Sequence, residues 1–566
     1  MPVRRWRLHP SRLAPVVTGL VGLLGLLSVL DATIPPLRPR LQTLAEILPA
    51  FVPEIAGAAA PLGAVLVLLS RGLARRKRRA WLGSLVACLV LAGLHLAAHE
   101  PEQLIGVLLV VGLLLCSRQA FTGRPDPRSR LRTASTFLLS GVFATAIGIG
   151  SLVVDRDALV GSPRFPQVLA QTWVGLVGIS GPVSFSSSKV QGRVETTLLL
   201  LGVMVVIATL SVALRSARGP HHLLPDEAAQ LRELLTRPLA DSLGYFALRD
   251  DKSAVVSPTG KAAIAYRVVG GVSLASGDPL GDREAWPGAI DAWLTEARNY
   301  AWIPAVLGAS EQGATVYRRH GLDALELGDE AVLEVGSFTL QSRAMRSVRQ
   351  AATRAERRGY TVTVDRAADL HPVELARLGE LAADWRVGQA ERGFSMALGR
   401  FGDPRDPGTV IVSCRDSGRT VAAILALVPW GTDGLSLDLM TRSPGADNGV
   451  VELMVTRLLA TSAALGIDRI SLNFAVFRSV FERGGKLGAG PILRLWYRTL
   501  LLASRFWQIE SLYRANAKYQ PTWQPRFICF PRARDLPKIS TAALRAESFF
   551  RLPWQRARSG VEHLQP

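Results

Sequence analysis

Six apolar stretches crowd the N-terminal part of this chain, near Leu13–Leu30, Ile55–Ser70, Ala80–Ala98, Gln103–Ser117, Thr133–Val154 and Val194–Leu214. A bilayer crossing takes roughly 20 such residues. The second and fourth stretches fall short of that, yet the series predicts a multi-span α-helical membrane domain over residues 1–215. The first stretch lacks a small-x-small cleavage site and more apolar stretches follow it, which favours an anchor over a cleaved signal peptide. Arginine and lysine mark the expected cytoplasmic side. Arg4, Arg5, Arg7 and Arg12 precede the first stretch, Arg71–Arg79 separates the second and third, and Arg118, Arg124, Arg128, Arg130 and Arg132 lie between the fourth and fifth. Six crossings place both termini inside and residues 155–193 outside. Phe165–Val183 is apolar enough to be re-entrant or a seventh span. His95 is the main ionisable residue within the stretches, so an anchor and lipid-access scaffold is favoured over an ion path.

The whole chain has 566 residues, 48% of them hydrophobic, and a formal net charge of +20. That charge favours an anionic partner, nucleic acid or an anionic membrane surface. Cys88, Cys116, Cys414 and Cys529 show no metal-ligand spacing and read as small hydrophobic residues.

After Ser216–Pro225 the texture alternates between strand and helix patterns, an α+β arrangement. Strands are expected at Ala262–Ala275, Trp302–Gly308, Tyr360–Val364, Thr409–Cys414, Thr420–Val428, Gly434–Met440 and Arg469–Phe474. Helices are expected at Glu284–Tyr300, Ser310–His320, Pro372–Gly388 and Val450–Leu465. The succession looks like two copies of one mixed unit, residues 216–340 and 341–545, before a tail at 546–566. Between them Arg343, Arg346, Arg349, Arg354 and Arg357 recur at helical spacing, with Glu356 the only acid in the run. A solvated, salt-bridged helix is the bland reading. Self-pairing cannot neutralise this face, so phosphate binding, to RNA or lipid headgroups, is preferred.

No P-loop, GxSxG or HExxH motif is present, and no histidine sits in triad or metal spacing. What remains is carboxylates, arginines and a lysine. In Gly434–Met440, alternation places Leu435, Leu437 and Leu439 on one face and Ser436, Asp438 and Met440 on the other. Pro444–Gly449, with Asp447 and Asn448, then turns into a helix whose first turn holds Glu452, where the helix dipole favours an acid. This strand–turn–helix resembles the pyrophosphate loop of the GNAT acyltransferase fold, written here Arg442-Ser-Pro-Gly445-Ala-Asp447. A carboxylate at the last position repels a CoA pyrophosphate. Further on, Tyr513, Tyr519 and Trp523 interleave with Arg514, Lys518 and Arg526. Composition leaves base stacking and an aromatic core equally open.

Together SLDLMTR…NGVVELM, SLNFAVFR, LYRANAKYQPTWQPRF and MRSVRQAATRAERRGY resemble the aminoacyl-phosphatidylglycerol synthases, the multiple peptide resistance factor family. The nearest likeness is to the transferase part of the mycobacterial lysyl-tRNA-synthetase fusion proteins, and it covers most of 226–535. The resemblance implies tandem GNAT-like folds on a multi-span anchor in the bacterial plasma membrane, with the catalytic part in the cytoplasm. It implies transfer of an amino acid, lysine by the nearest likeness, from aminoacyl-tRNA to a phosphatidylglycerol hydroxyl. The product is a cationic lipid that lowers surface negative charge and gives resistance to cationic antimicrobial peptides. No cofactor is implied, the donor being an activated ester, and a homo-oligomer is left open. Synthetase motifs are not evident after the transferase part, nor are the spans of a flippase module, so tRNA charged elsewhere is expected. Asp438 falls on the family's strand acid and Lys518 on its lysine. Thr441 stands where the family has arginine, with Arg442 next to it. The expected catalytic set is Asp438, Glu452, Arg442 and Lys518. The expected substrate-binding set is the five arginines with Asp447, Asn448, Asn473, Tyr513, Trp523 and Arg526. The rivals are an acyl-CoA N-acyltransferase, a membrane-tethered RNA-binding protein without turnover, and transfer to an amine of a peptidoglycan precursor.

Overall fold

The computed structural model describes residues 10–33, 59–97, 101–121, 123, 129–214, 222–237, 240–386, 393–476 and 515–548. The chain divides into two compact units, one of residues 1–217 with 298–301, the other of 218–297 with 302–566.

In the first unit a helix overlaps each of the six apolar stretches: α1 Pro10–Thr33, α2 Ala59–Ala74, α3 Arg78–Ala97, α4 Pro101–Cys116, α5 Ser129–Val154 and α7 Ser188–Ala213. Among the described residues, Leu131–Val154 and Ser188–Ala213 are long and apolar enough to cross a membrane. Their apolar side chains face outward, as Leu138, Leu139, Val142 and Phe143 do on α5. Such exposure is uphill in water and natural in lipid. Small residues let backbones meet: a Cβ on Gly25 of α1 would lie 2.7 Å from the Gly63 carbonyl of α2. The Phe165–Val183 segment holds only α6, Phe165–Leu176. At 1.5 Å per residue its 12 residues reach about 18 Å, too short for a seventh crossing.

The second unit opens with α8, Pro225–Leu235, and is built on one 12-stranded sheet. Its strands are β1 Ser253–Val256, β2 Ala262–Val269, β3 Val272–Ser276, β4 Leu280–Gly281, β5 Ile303–Ala309, β6 Asp323–Glu334, β7 Thr361–Arg366, β8 Val410–Arg415, β9 Val421–Trp430, β10 Gly434–Arg442, β11 Arg469–Val476 and β12 Thr522–Phe530. The single strand expected over Ala262–Ala275 is a hairpin, because Gly270 and Gly271 both take positive φ. The helices are α9 Trp286–Asn299, α10 Glu311–Arg319, α11 Arg346–Arg357, α12 Pro372–Asp384, α13 Val450–Ser462 and α14 Leu536–Ala546.

Strand order is β1-β2-β3-β5-β12-β6-β11-β10-β9-β8-β7, with β4 beside β2. The same motif recurs: antiparallel strands, a helix, then a parallel strand. It reads β3–α9–β5 in the first half and β10–α13–β11 in the second. Each half's last strand then pairs with the other half, β6 on β11 and β12 on β5, and the two pair with each other. A cut at residue 340 therefore passes through one continuous sheet.

Sequence reading did not anticipate β6, whose stretch DALELGDEAVLE looks too acidic for a central strand. Glu330 within it is fully buried, and Arg526 answers its charge.

Lys252 is also fully buried. Its ammonium donates to Ser276 Oγ at 2.7 Å and lies 4.4 Å from the centre of the Phe394 ring. Burial, aided by the Arg249 charge, pulls its pKa down to about 7. Between about 7 and the ordinary 10.5, the unfolded chain holds a proton that the folded chain has released. Stability from this group therefore rises with pH across that window. Thermal unfolding of the Lys252→Met chain between pH 7 and 10 is expected to show a flatter pH dependence than wild type.

Candidate functional site

The site forms where β10 and β11 part. They pair in parallel only from Gly434↔Arg469 to Ser436↔Ser471. Beyond that both strands bulge, β10 between Leu437 and Leu439 and β11 between Ser471 and Phe474. The extra residue in β10 is Asp438, a bulge position that re-aims a side chain. The simple alternation expected for this strand therefore fails. Leu435 and Leu437 pack with the α11–α13 core, whereas Leu439 joins the α12 core. Asp438 Oδ1 accepts the Leu398 N–H at 2.6 Å, so the 393–399 loop ends on this acid. Asn473, in the left-handed region at φ 66°, reaches across the split and donates to the Leu437 carbonyl. Its Oδ1 is enclosed and has no hydrogen-bond partner among the described residues.

Glu452 and Lys518 meet in a 2.6 Å ion pair, 19% and 27% exposed. Asn516, two residues before Lys518, donates to the Leu472 carbonyl at 3.4 Å, which ties the pair to β11 beside Asn473. Asp438 and Asn473 thus lie at one split in the sheet, and the Glu452–Lys518 pair is linked to β11 through Asn516. Arg442, at the end of β10, is exposed and has no ion-pair partner among the described residues.

The α13 N-terminus is approached by protein. Gly449 caps it at φ 105°, and a Cβ there would lie 2.6 Å from the Ala351 carbonyl of α11. The Asp447 carboxylate pairs with Arg358 and accepts from Tyr360 Oη at 3.2 Å. Asp447 is thus committed to protein partners beside this helix end, and Asn448 is exposed next to it.

On α11, Val348, Ala352 and Ala355 are buried, while Arg346, Arg354 and Arg357 are exposed, as is Arg343 just before the helix. Arg349 differs: its guanidinium donates to the Leu340 carbonyl. Arg357 and the three other exposed arginines have no ion-pair partner among the described residues, whereas Glu356 is held by Arg457 at 2.7 Å.

Two expected ligand contacts lie inside the protein. Arg526 is 3% exposed and holds Glu330, Asp241 at 2.7 Å, Ser242 Oγ at 2.6 Å and the Gly308 carbonyl at 3.1 Å. Every donor is spent at the joint between the halves, so it is not a surface phosphate ligand. Sequence spacing missed this because the partners come from three distant segments, 241–242, 308 and 330. Trp523 is half-buried and packs with Tyr519 on the second-half core, which favours the aromatic-core reading for both. Tyr513 lies outside the described residues. Among the described residues no group of three or more His, Cys, Asp or Glu side chains is placed to hold a metal.

The family model "Phosphatidylglycerol lysyltransferase, C-terminal" matches residues 232–530, and "Transmembrane region of lysyl-tRNA synthetase" matches residues 10–214. The chain belongs to the phosphatidylglycerol lysyltransferase family. It is 42% identical to the lysylphosphatidylglycerol biosynthesis bifunctional protein LysX of Mycolicibacterium gilvum, across 97% of this chain and 51% of that protein. The figures for the Rhodococcus opacus protein of the same name are 42%, 98% and 50%. The chain thus spans about half the length of the curated relatives it matches. The solved structure of L-PGS from Bacillus licheniformis is 22% identical and covers 56% of this chain and 95% of that one, with a TM-score of 0.49.

Proposed function

We propose that this chain transfers an aminoacyl group, lysyl by preference, from aminoacyl-tRNA to the glycerol hydroxyl of phosphatidylglycerol. The carrying observation is the split between β10 and β11, with Asp438 on the bulge and the Glu452–Lys518 pair linked to β11 through Asn516. Family membership supports the donor and the acceptor. The six apolar helices support a multi-pass anchor, and the basic loops support a cytoplasmic transferase part.

The reaction exchanges one ester for another. The lipid hydroxyl oxygen attacks the aminoacyl carbonyl, the bond to the ribose oxygen breaks, and the hydroxyl proton passes to the ribose oxygen. An activated ester needs no covalent enzyme intermediate, only alignment and charge placement. Asp438 orients the attacking hydroxyl or the α-ammonium. Glu452 assists proton movement, and Lys518, held at 2.6 Å from it, faces developing negative charge. Arg442 takes a phosphate at the strand end. The α11 arginines hold phosphates of the tRNA.

The test is formation of labelled, ninhydrin-positive lipid from charged tRNA and phosphatidylglycerol vesicles by the full chain in detergent. No such lipid from wild type sinks the reading, and turnover with acetyl-CoA in its place would support the acyl-CoA alternative. Reversing two charges on α11, Arg346→Glu with Arg354→Glu, is expected to raise the KM for charged tRNA at least tenfold. The dependence of log(kcat/KM) on log salt should become shallower by about 2, one per lost phosphate contact.

A further inference from the structure

Asp438 stands on a bulge, which turns its side chain away from the strand's own alternation. Its carboxylate accepts the Leu398 N–H at 2.6 Å, so the 393–398 segment helps to set its direction. That segment is itself set from two distant parts of the chain.

Arg249 follows the Gly244–Leu248 turn in the first half. Its Nη1 donates to both the Gly393 and the Ala397 carbonyls, which closes the segment into an arc. Its other nitrogens, Nε and Nη2, hold Asp251 at 2.9 and 3.1 Å. Asp251 is braced in turn by Arg267 at 2.9 Å. Glu547 follows α14. One of its carboxylate oxygens accepts the Phe394 N–H at 2.7 Å. The other accepts the Ser395 N–H at 3.1 Å and the Ser395 hydroxyl. The Phe394 side chain is fully buried among residues of β3, β5, β12 and α14.

Three costly features converge on this short segment. Gly393 takes φ 122°, and a Cβ there would lie 2.5 Å from that of Ala397. Glu547 places a carboxylate at a helix C-terminus, against the helix dipole. Lys252 is fully buried with its ammonium 4.4 Å from the centre of the Phe394 ring. Strain of this kind persists where the surroundings over-determine it, and it gathers at functional sites. What these contacts fix in common is the backbone that ends at Leu398, and through it the Asp438 carboxylate.

We propose that Arg249 and Glu547 are positioning residues: acting through the 393–398 segment, they hold the Asp438 carboxylate in the direction that acyl transfer needs. The proposal rests on the aminoacyl-transfer reading above. Misplacing a reacting group by about 1 Å costs up to about 100-fold in rate, even when the change lies far from the chemistry.

The experiment is a double-mutant cycle on the full chain in detergent. It reads kcat and the KM for lysyl-tRNA with phosphatidylglycerol vesicles, beside the unfolding midpoint. Glu547→Gln keeps the side-chain length but sets an amide NH2 against one of the segment's N–H groups. It is expected to lower kcat about tenfold with the KM for lysyl-tRNA unchanged. In the Asp438→Asn background the same change is expected to cost less than about twofold, because the charge it aims is already gone. Arg249→Lys cannot bridge both carbonyls and Asp251, and is expected to show the same pattern. A role in folding alone lowers activity by equal factors in the two backgrounds. Equal factors, or a wild-type kcat in both Glu547→Gln and Arg249→Lys, overturn the positioning role and leave the aminoacyl-transfer reading standing. No aminoacyl-lipid from wild type overturns both.

Discussion

Asp438→Asn is expected to lower aminoacyl-lipid synthesis at least 100-fold while leaving the protein folded. An asparagine oxygen still accepts the Leu398 N–H, which Asp438 takes at 2.6 Å, so the bulge and the 393–399 loop keep their geometry. What is lost is the negative charge at the split between β10 and β11. Removing one preorganised electrostatic partner from a water-poor site typically costs 10²–10³ in rate. The loss should fall on kcat at saturating donor and lipid, because the phosphate contacts of the α11 arginines are untouched. Initial rates beside a thermal-unfolding midpoint check both parts. A wild-type rate in the Asn variant would move the chemistry away from this strand. Asp438→Ala would be harder to read, since it also leaves the Leu398 N–H without its acceptor.

The second large effect is on stability. Arg526→Met is expected to destabilise the chain by about 3–5 kcal/mol, seen as a fall of roughly 10 °C in the unfolding midpoint. Burial pulls the guanidinium pKa down, but the Asp241 and Glu330 carboxylates more than reverse this and hold it above its ordinary value. Removing it strands Glu330, which is 0% exposed, and Asp241, at 5%. The same cluster already strains its third acid: burial and the Asp241 charge push Asp278 up to about 7. The sign of the pH effect follows. In the variant, Asp278 loses the Arg526 charge that lowers its pKa, so its folded value moves further above its unfolded value near 4. The folded state then binds more protons than the unfolded state, so stability falls as pH rises through that window. The deficit against wild type should therefore be largest at and above pH 7 and shrink toward pH 5. Adding Glu330→Gln to Arg526→Met should recover part of the loss, because one stranded charge goes with it. An Arg526→Met chain as stable as wild type would show that solvent, not the guanidinium, neutralises these acids.

Part of the candidate site was legible in sequence, and the reasons differ by residue. Asp438 stands out because an acid interrupts SLDLM, and Glu452 because it opens a helix after a glycine turn. The pairing of Glu452 with Lys518 was not legible, since 66 residues separate them. Neither was the bulge. Period-two alternation placed Leu439 with Leu435, and one inserted residue moves it to the opposite core. Arg526 shows the limit most plainly. In LYRANAKYQPTWQPRF it looks like one more cation beside aromatics. Only the pairing of β12 with β5 and β6 puts it next to Asp241 and Glu330.

The sequence by itself determined the division of the chain. Runs of about 20 apolar residues and the later alternation of short strands and helices are local properties, set by hydropathy and backbone periodicity, and they carry through to the elements seen. Tertiary structure alone decided which charges are buried, which are paired and which face a ligand. Exchange of β6 and β12 between the halves brings together residues more than 280 positions apart, as in the Arg526–Ser242 hydrogen bond. A carboxylate's surroundings, not its neighbours in the chain, fix whether it is a structural counter-ion like Glu330 or one left exposed like Glu334. Those surroundings exist only once the sheet has closed.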